Sequence, residues 1–155
     1  DYGYMPHRNT SNRDIKVVYK FSLRINRKLI IVTDDIKKIK SYTIPEDVSV
    51  TSLPRKKMIY RNAIYSNSDL NIFKECGPAY LSHYIKNSKT IILDYCDGGI
   101  DSNLDFYKKL YNLKVGDQPF LRLNGYLLWK NLFRKYKIKD LMFAYKYLKY
   151  KNNVN

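Results

Sequence analysis

Residues 125–155, GYLLWKNLFRKYKIKDLMFAYKYLKYKNNVN, form the longest stretch of the chain without proline or internal glycine. Apolar side chains recur in it at helical spacing, first at Leu128, Leu132 and Tyr136 and then over residues 138–148. The two rows are out of phase, so the pattern predicts either two helices with a tight bend or one helix with a wide apolar face. Lysine and arginine lie between the apolar positions. Such a segment can pack on a core and present its charge to a polyanion.

Toward the N-terminus, residues 15–34 have the pattern of a β-hairpin. Apolar and polar side chains alternate from Ile15 to Ile25, with a turn at residues 26–27 and a more buried return strand over residues 28–33. Only Val18 interrupts the polar row. The polar face of the first strand would carry Lys16, Lys20 and Arg24, and like charges in a row need water or an anion beside them.

The segments between these two regions predict short mixed elements. A helix over residues 36–41 would be capped by Asp34 and Asp35, a pair that could alternatively bind a metal ion. The other predicted elements are strands over residues 48–53, 58–65 and 90–93, the last of them central, and helices over residues 70–76, 79–86 and 103–112. This order predicts an α+β fold: a small, mainly antiparallel sheet, formed by the N-terminal hairpin and the central strands, packed with a helical C-terminal third. We expect residues 1–13 to be a flexible arm and residues 14–155 a single domain.

The charge balance indicates the class of partner. The 155 residues include 29 Lys and Arg against 14 Asp and Glu, a net charge of +15, with 45% hydrophobic residues. An AT-rich genome would enrich lysine and glutamate together, but only Glu46 and Glu75 occur. Codon bias therefore leaves the shortage of acid unexplained. A net charge of this size favours a polyanion as partner, with nucleic acid first, an anionic membrane second and an acidic protein third.

The first functional hypothesis is a non-enzymatic basic protein that binds nucleic acid, with RNA favoured over DNA. Lysine acts as a point charge, so its contacts to phosphate would be mostly tolerant of sequence. No cofactor and no metal ion is expected. The predicted binding residues are Lys16, Lys20, Arg24, Arg55, Lys56, Lys57, Lys130, Arg134, Lys135, Lys137, Lys139, Tyr147 and Tyr150.

Two other hypotheses remain open. In the first, the chain is a structural or assembly subunit, viral or organellar, that docks its basic face on an acidic protein or an anionic membrane. In the second, it is a metal-dependent nuclease whose carboxylates hold Mg²⁺ near a glycine turn. The carboxylates in question are Asp94, Asp97, Asp101 and Asp105, which equally suit a turn, a helix cap and a first helical turn.

Cysteine usage and hydropathy bear on the compartment. The sequence has two cysteines, Cys76 and Cys96, and their separation does not match the spacing of paired metal ligands. This favours free thiols in a reducing, intracellular compartment such as cytoplasm, nucleus, organelle or virus factory. No apolar run reaches the ~18 residues of a membrane span. A missing leader is not excluded, since the chain opens on Asp1.

Overall fold

The computed structural model describes residues 10–52, 57–74, 76–85, 88–95, 125–129 and 136–152. Within it the chain forms two compact units, Thr10–Ile64 and a unit that contains Tyr65–Asn155. The described helices and strands are α1 (Asn12–Arg24), β1 (Ile30–Val32), α2 (Ile36–Ile39), β2 (Ser49–Thr51), α3 (Met58–Asn67), β3 (Asn71–Lys74), α4 (Gly77–His83), β4 (Thr90–Tyr95), β5 (Gly125–Trp129) and α5 (Ile138–Asn152).

The first unit begins with a helix where a hairpin was predicted. Ser11 is the N-cap of α1, and its hydroxyl oxygen accepts a hydrogen bond from the backbone N–H of Asp14. The Asp14 carboxylate accepts in return from the backbone N–H of Ser11 at 2.8 Å. This reciprocal arrangement, a capping box, satisfies backbone donors that a helix start would otherwise leave unpaired. It fixes the first turn of α1 and makes the predicted first strand of the hairpin wrong.

Burial along α1 follows the helical period. Ile15, Phe21 and Ser22 are buried, and Val18 is half-buried between them. Val18 is the residue that interrupted the alternation expected of a strand. On a helix it lies on the inner side, because residues three and four apart share a face.

The predicted return strand does exist, but its partner and direction differ from the hairpin. β1 pairs with β2 in parallel, with Ile30 opposite Ser49 and Val32 opposite Thr51. The connection contains α2, whose N-cap Asp35 accepts hydrogen bonds from the backbone N–H groups of Lys37 and Lys38. The capping role predicted for this acidic pair is therefore confirmed for Asp35.

The other member of the acidic pair binds a different element. Asp34 accepts a hydrogen bond at 2.7 Å from the guanidinium of Arg61, whose side chain is only 11% exposed. Arg61 lies on α3, in the segment where residues 58–65 were predicted to be a strand, so that prediction is wrong. The ion pair joins this helix to the loop that follows β1.

The second unit is built on a three-stranded parallel sheet with the order β3-β4-β5. Asn71 of β3 pairs with Thr90 of β4, nineteen residues further on, the same offset that separates Ile30 from Ser49 in the first unit. A parallel pair needs a crossover of about a dozen residues or more, and α4 lies in this one. All strand pairs in the described part of the chain are parallel, which overturns the predicted antiparallel sheet.

Strand β4 is central in this sheet, as the sequence predicted. Its successive residues Ile91, Ile92 and Leu93 are all at most 3% exposed. Neighbours along a strand point to opposite faces, so the sheet is covered on both sides. By contrast, a helix was predicted over residues 70–76, but Asn71–Lys74 form β3, so that prediction is wrong. Gly77 and Pro78 begin α4, and proline is favoured in the first turn of a helix.

The structure confirms only part of the predicted C-terminal helices among the residues that it describes. Residues 125–129 form strand β5, paired in parallel with β4, so a helix beginning at Gly125 is wrong. Helix α5 matches the second predicted row, and its residues Leu141, Ala144, Tyr145 and Leu148 are buried. The predicted helix over residues 103–112 lies outside the described residues.

A cluster of buried polar side chains joins β3, α4 and β4. The Thr90 hydroxyl lies 2.9 Å from the Ser82 hydroxyl and 3.2 Å from that of Ser88. The Asn71 amide donates to Ser88 Oγ and to the Tyr65 carbonyl, both at 2.9 Å. These polar groups can be buried without a large free-energy cost because each has a hydrogen-bond partner. The same hydrogen bonds fix the position of α4 against β3 and β4.

Candidate nucleic-acid interface

Three of the predicted binding residues lie together on the outer face of α1. Lys16, Lys20 and Arg24 are all exposed, at successive steps of four residues. At 3.6 residues per turn these steps span an arc of about 80° and about 12 Å along the helix axis. The buried residues Ile15 and Phe21 lie on the opposite side. The helix therefore presents a row of three cations, here called the α1 stripe, to solvent.

Helix α1 itself supplies no exposed carboxylate to the α1 stripe. The single carboxylate within α1, Asp14, is buried and held in the capping box by the Ser11 hydroxyl at 2.7 Å. In the part of the chain that the structure describes, no ion pair joins the three stripe residues to a carboxylate. Their mutual repulsion is relieved by water and salt, or by a bound anion.

Of the predicted binding residues at positions 55–57, the structure describes only the last. Lys57 is exposed directly before α3, whereas Arg55 and Lys56 lie outside the described residues. Its neighbours on α3 are apolar and exposed, with Met58 at 61% and Ile59 at 68%.

The predicted binding residues near the C-terminus are also described only in part. Lys130, Arg134 and Lys135 lie outside the described residues, while Lys137 and Lys139 are exposed at the start of α5. The two tyrosines among the predicted binding residues, Tyr147 and Tyr150, are also exposed, at 39% and 74%.

Sequence reasoning missed two exposed residues of α5, Phe143 and Lys146. Phe143 is 64% exposed on α5 although its neighbours Leu141 and Ala144 are fully buried. It lies on the same face as Lys139, Lys146 and Tyr150, at intervals of four, three and four residues. This α5 outer face could have been found from that spacing, since positions i, i+4, i+7 and i+11 align on a helix.

The carboxylate of Asp140, the acidic residue of α5, caps the start of this helix. Asp140 accepts a hydrogen bond at 2.7 Å from the backbone N–H of Lys137, which precedes the first helical residue. A carboxylate in the first turn also interacts favourably with the helix dipole. On the inner side, Tyr145 donates from its hydroxyl to Asp69 at 2.8 Å, and Lys89 lies 3.8 Å from the same carboxylate. The apolar face of α5 is thus buried within the chain.

The residues proposed for metal chemistry are mostly not described. Asp97, Asp101 and Asp105 lie outside the described residues, and Asp94 is in strand β4. Among the described residues, no three His, Cys, Asp or Glu side chains form a group that could hold a metal ion.

Comparison of the chain with protein-family models, with curated proteins and with solved structures found no match. Among the helices that the structure describes, none has the length and apolar character needed to cross a membrane.

Proposed function

We propose that the chain is a basic nucleic-acid-binding protein that contacts the phosphate backbone through the α1 stripe, with RNA its preferred ligand. The observation that supports this best is the alignment of Lys16, Lys20 and Arg24 on one exposed helix face. A polyanion with regularly spaced charges can meet all three cations at once, and the release of its counterions drives the association. The net charge of +15 raises the encounter rate of the whole chain with such a ligand.

The proposed contacts are tolerant of sequence. Two of the three stripe residues are lysines, which act as point charges and do not offer the planar fork that reads a guanine edge. Phosphate contacts position a nucleic acid without reading its sequence. We therefore expect affinities that vary little between sequences of equal length and structure.

The test is a salt titration of binding to three ligands: a labelled RNA, a DNA of the same length and sequence, and vesicles containing phosphatidylserine. We expect RNA to bind most tightly, with a linear loss of log affinity against log salt. Binding to vesicles with no measurable binding to either nucleic acid would contradict the proposal. So would an RNA affinity that does not change with salt.

A second candidate function is a structural or assembly subunit. One observation favours it: Met58 and Ile59 begin α3 as adjacent, largely exposed apolar side chains. Exposed apolar neighbours of this size are found at protein contacts. Sedimentation of the purified chain tests this second function. If the chain assembles through these residues, Met58→Ser and Ile59→Ser together should convert the assembly to smaller species and leave RNA binding intact.

A further inference from the structure

We propose that the α5 outer face is a stacking platform for unpaired bases, so that the nucleic acid bound there is single-stranded. This inference rests on the proposed function, in which the chain binds the phosphate backbone, and adds that the ligand is single-stranded. It is argued from a surface other than the α1 stripe, namely the α5 outer face formed by Lys139, Phe143, Lys146 and Tyr150.

The geometry of this face combines rings and charge. At 100° per residue the four side chains fall within an arc of about 60° on α5. Phe143 is 64% and Tyr150 74% exposed, and Lys139 and Lys146 are exposed beside them. Aromatic rings that alternate with cations are the arrangement on which successive bases stack while the backbone is neutralised.

Stacking on these rings favours a single strand over a duplex. Phe143 and Tyr150 are seven residues apart, or about 10 Å along the helix axis. In a duplex both faces of each internal base are covered by its neighbours in the stack. Only bases splayed out of a stack, as in a single strand, offer an uncovered face to the two rings.

Charge also argues against an ordinary apolar partner on this face. A helix that docks into a protein groove offers an unbroken row of apolar anchors at these same intervals. On α5 the row is interrupted by Lys139 and Lys146, and the carboxylate of Asp140 is used at the helix start. The alternation of ring and ammonium complements a ligand that is itself alternately aromatic and anionic.

The test uses the full chain and two labelled probes, an oligouridylate and a fully paired RNA duplex with the same number of phosphates. The double substitution Phe143→Ala and Tyr150→Ala removes both rings without changing the charge. We expect affinity for oligouridylate to fall by about tenfold for each ring, with the salt slope unchanged, because stacking contributes independently of counterion release. Affinity for the duplex should stay within about twofold, since it is held by phosphate contacts alone.

Two matched controls separate stacking from loss of folding or of apolar surface. Tyr84→Ala removes a tyrosine that is 79% exposed outside α5, and it should leave both affinities unchanged. Exchanging the rings, with Phe143→Tyr and Tyr150→Phe, should retain the affinity for oligouridylate, whereas leucine at both positions should lose it.

The outcomes are distinguishable from those of the proposed function. If the wild-type chain binds both probes with a strong salt dependence but the ring variants bind oligouridylate normally, the stacking platform is wrong and the phosphate-binding proposal stands. An equal loss on both probes also refutes the platform. If the wild-type chain binds neither probe, both proposals fall together.

Discussion

Neutralising two lysines of the α1 stripe tests the proposed interface most directly. The double substitution Lys16→Gln and Lys20→Gln removes two exposed charges one helical turn apart, on the side opposite the buried residues. Each phosphate contact to a single strand contributes about 0.7 to the slope of log affinity against log salt. The double variant should therefore lower the magnitude of that slope by about 1.4.

The same number gives the expected loss of affinity. Relative to a 1 M reference, a change of about 1.4 in slope corresponds to a roughly 25-fold loss at about 0.1 M salt. Fluorescence anisotropy with a labelled RNA at several salt concentrations measures both quantities in one series. Circular dichroism checks that α1 remains folded, which is expected because glutamine is nearly as good a helix former as lysine.

A matched variant controls for net charge. Lys37→Gln and Lys40→Gln remove the same number of charges from exposed positions in α2 and directly after it, outside the α1 stripe. If the α1 stripe is the binding surface, this control keeps most of the affinity and slope. Equal losses in the two double variants would refute the reasoning, because the protein would then bind through its overall charge alone.

Moving one charge tests the helical geometry itself. Leu23 is 55% exposed and lies seven residues after Lys16, so on a helix it falls about 20° from that lysine. On a strand the two would point to opposite faces. Lys20→Gln alone should weaken binding about fivefold at about 0.1 M salt. Adding Leu23→Lys should restore the affinity, and a failure to restore it would count against a stripe on the helix.

Three further predictions concern stability. Thr90→Val removes the hydroxyl that the buried Ser82 hydroxyl contacts at 2.9 Å, and it should lower the free energy of unfolding by about 1–3 kcal/mol in urea titration. Ser11→Ala removes the N-cap of α1 and should cost about 1 kcal/mol, seen as a lower thermal midpoint. The pKa of Tyr19 is raised because its hydroxyl donates a hydrogen bond to Asp47. The stability that this bond contributes is therefore present below the ordinary tyrosine pKa of about 10, and it is lost as pH rises through the pKa of Tyr19 in the folded protein. NMR titration should find the Tyr19 pKa above that of an unperturbed tyrosine and Asp47→Asn should lower it; a wild-type pKa at or below the ordinary value would contradict this.

The helix α1 was misread because two periods coexist in its sequence. Ile15, Val17, Tyr19 and Phe21 alternate as a strand would, while Ile15, Val18 and Phe21 fit a helical face. What decides between them is the capping box, and Ser11 with Asp14 three residues later was a readable signal for it. Periodicity alone could not settle the choice, whereas the cap could.

The parallel direction of the strands was harder to predict from the sequence. β1 and β2 have three residues each, too few to show a period, and their pairing depends on the connection through α2. In β5 the apolar run of residues 125–129 fits a strand in a parallel sheet as well as the start of a helix. By contrast, the apolar β4 and the amphipathic α5 were predicted in the right place, because burial dominates both patterns.

The α1 stripe was nevertheless predicted from the wrong element, and the reason lies in its spacing. A step of four residues returns to the same side of a strand, which has a period of two, and nearly to the same side of a helix, which has a period of 3.6. The set Lys16, Lys20 and Arg24 is therefore cofacial in either conformation. What changes is the distance, since four residues rise about 13 Å on a strand but about 6 Å on a helix. The helix concentrates the three charges into half the length, which strengthens the local field toward phosphate and makes the loss of one cation felt by its neighbours.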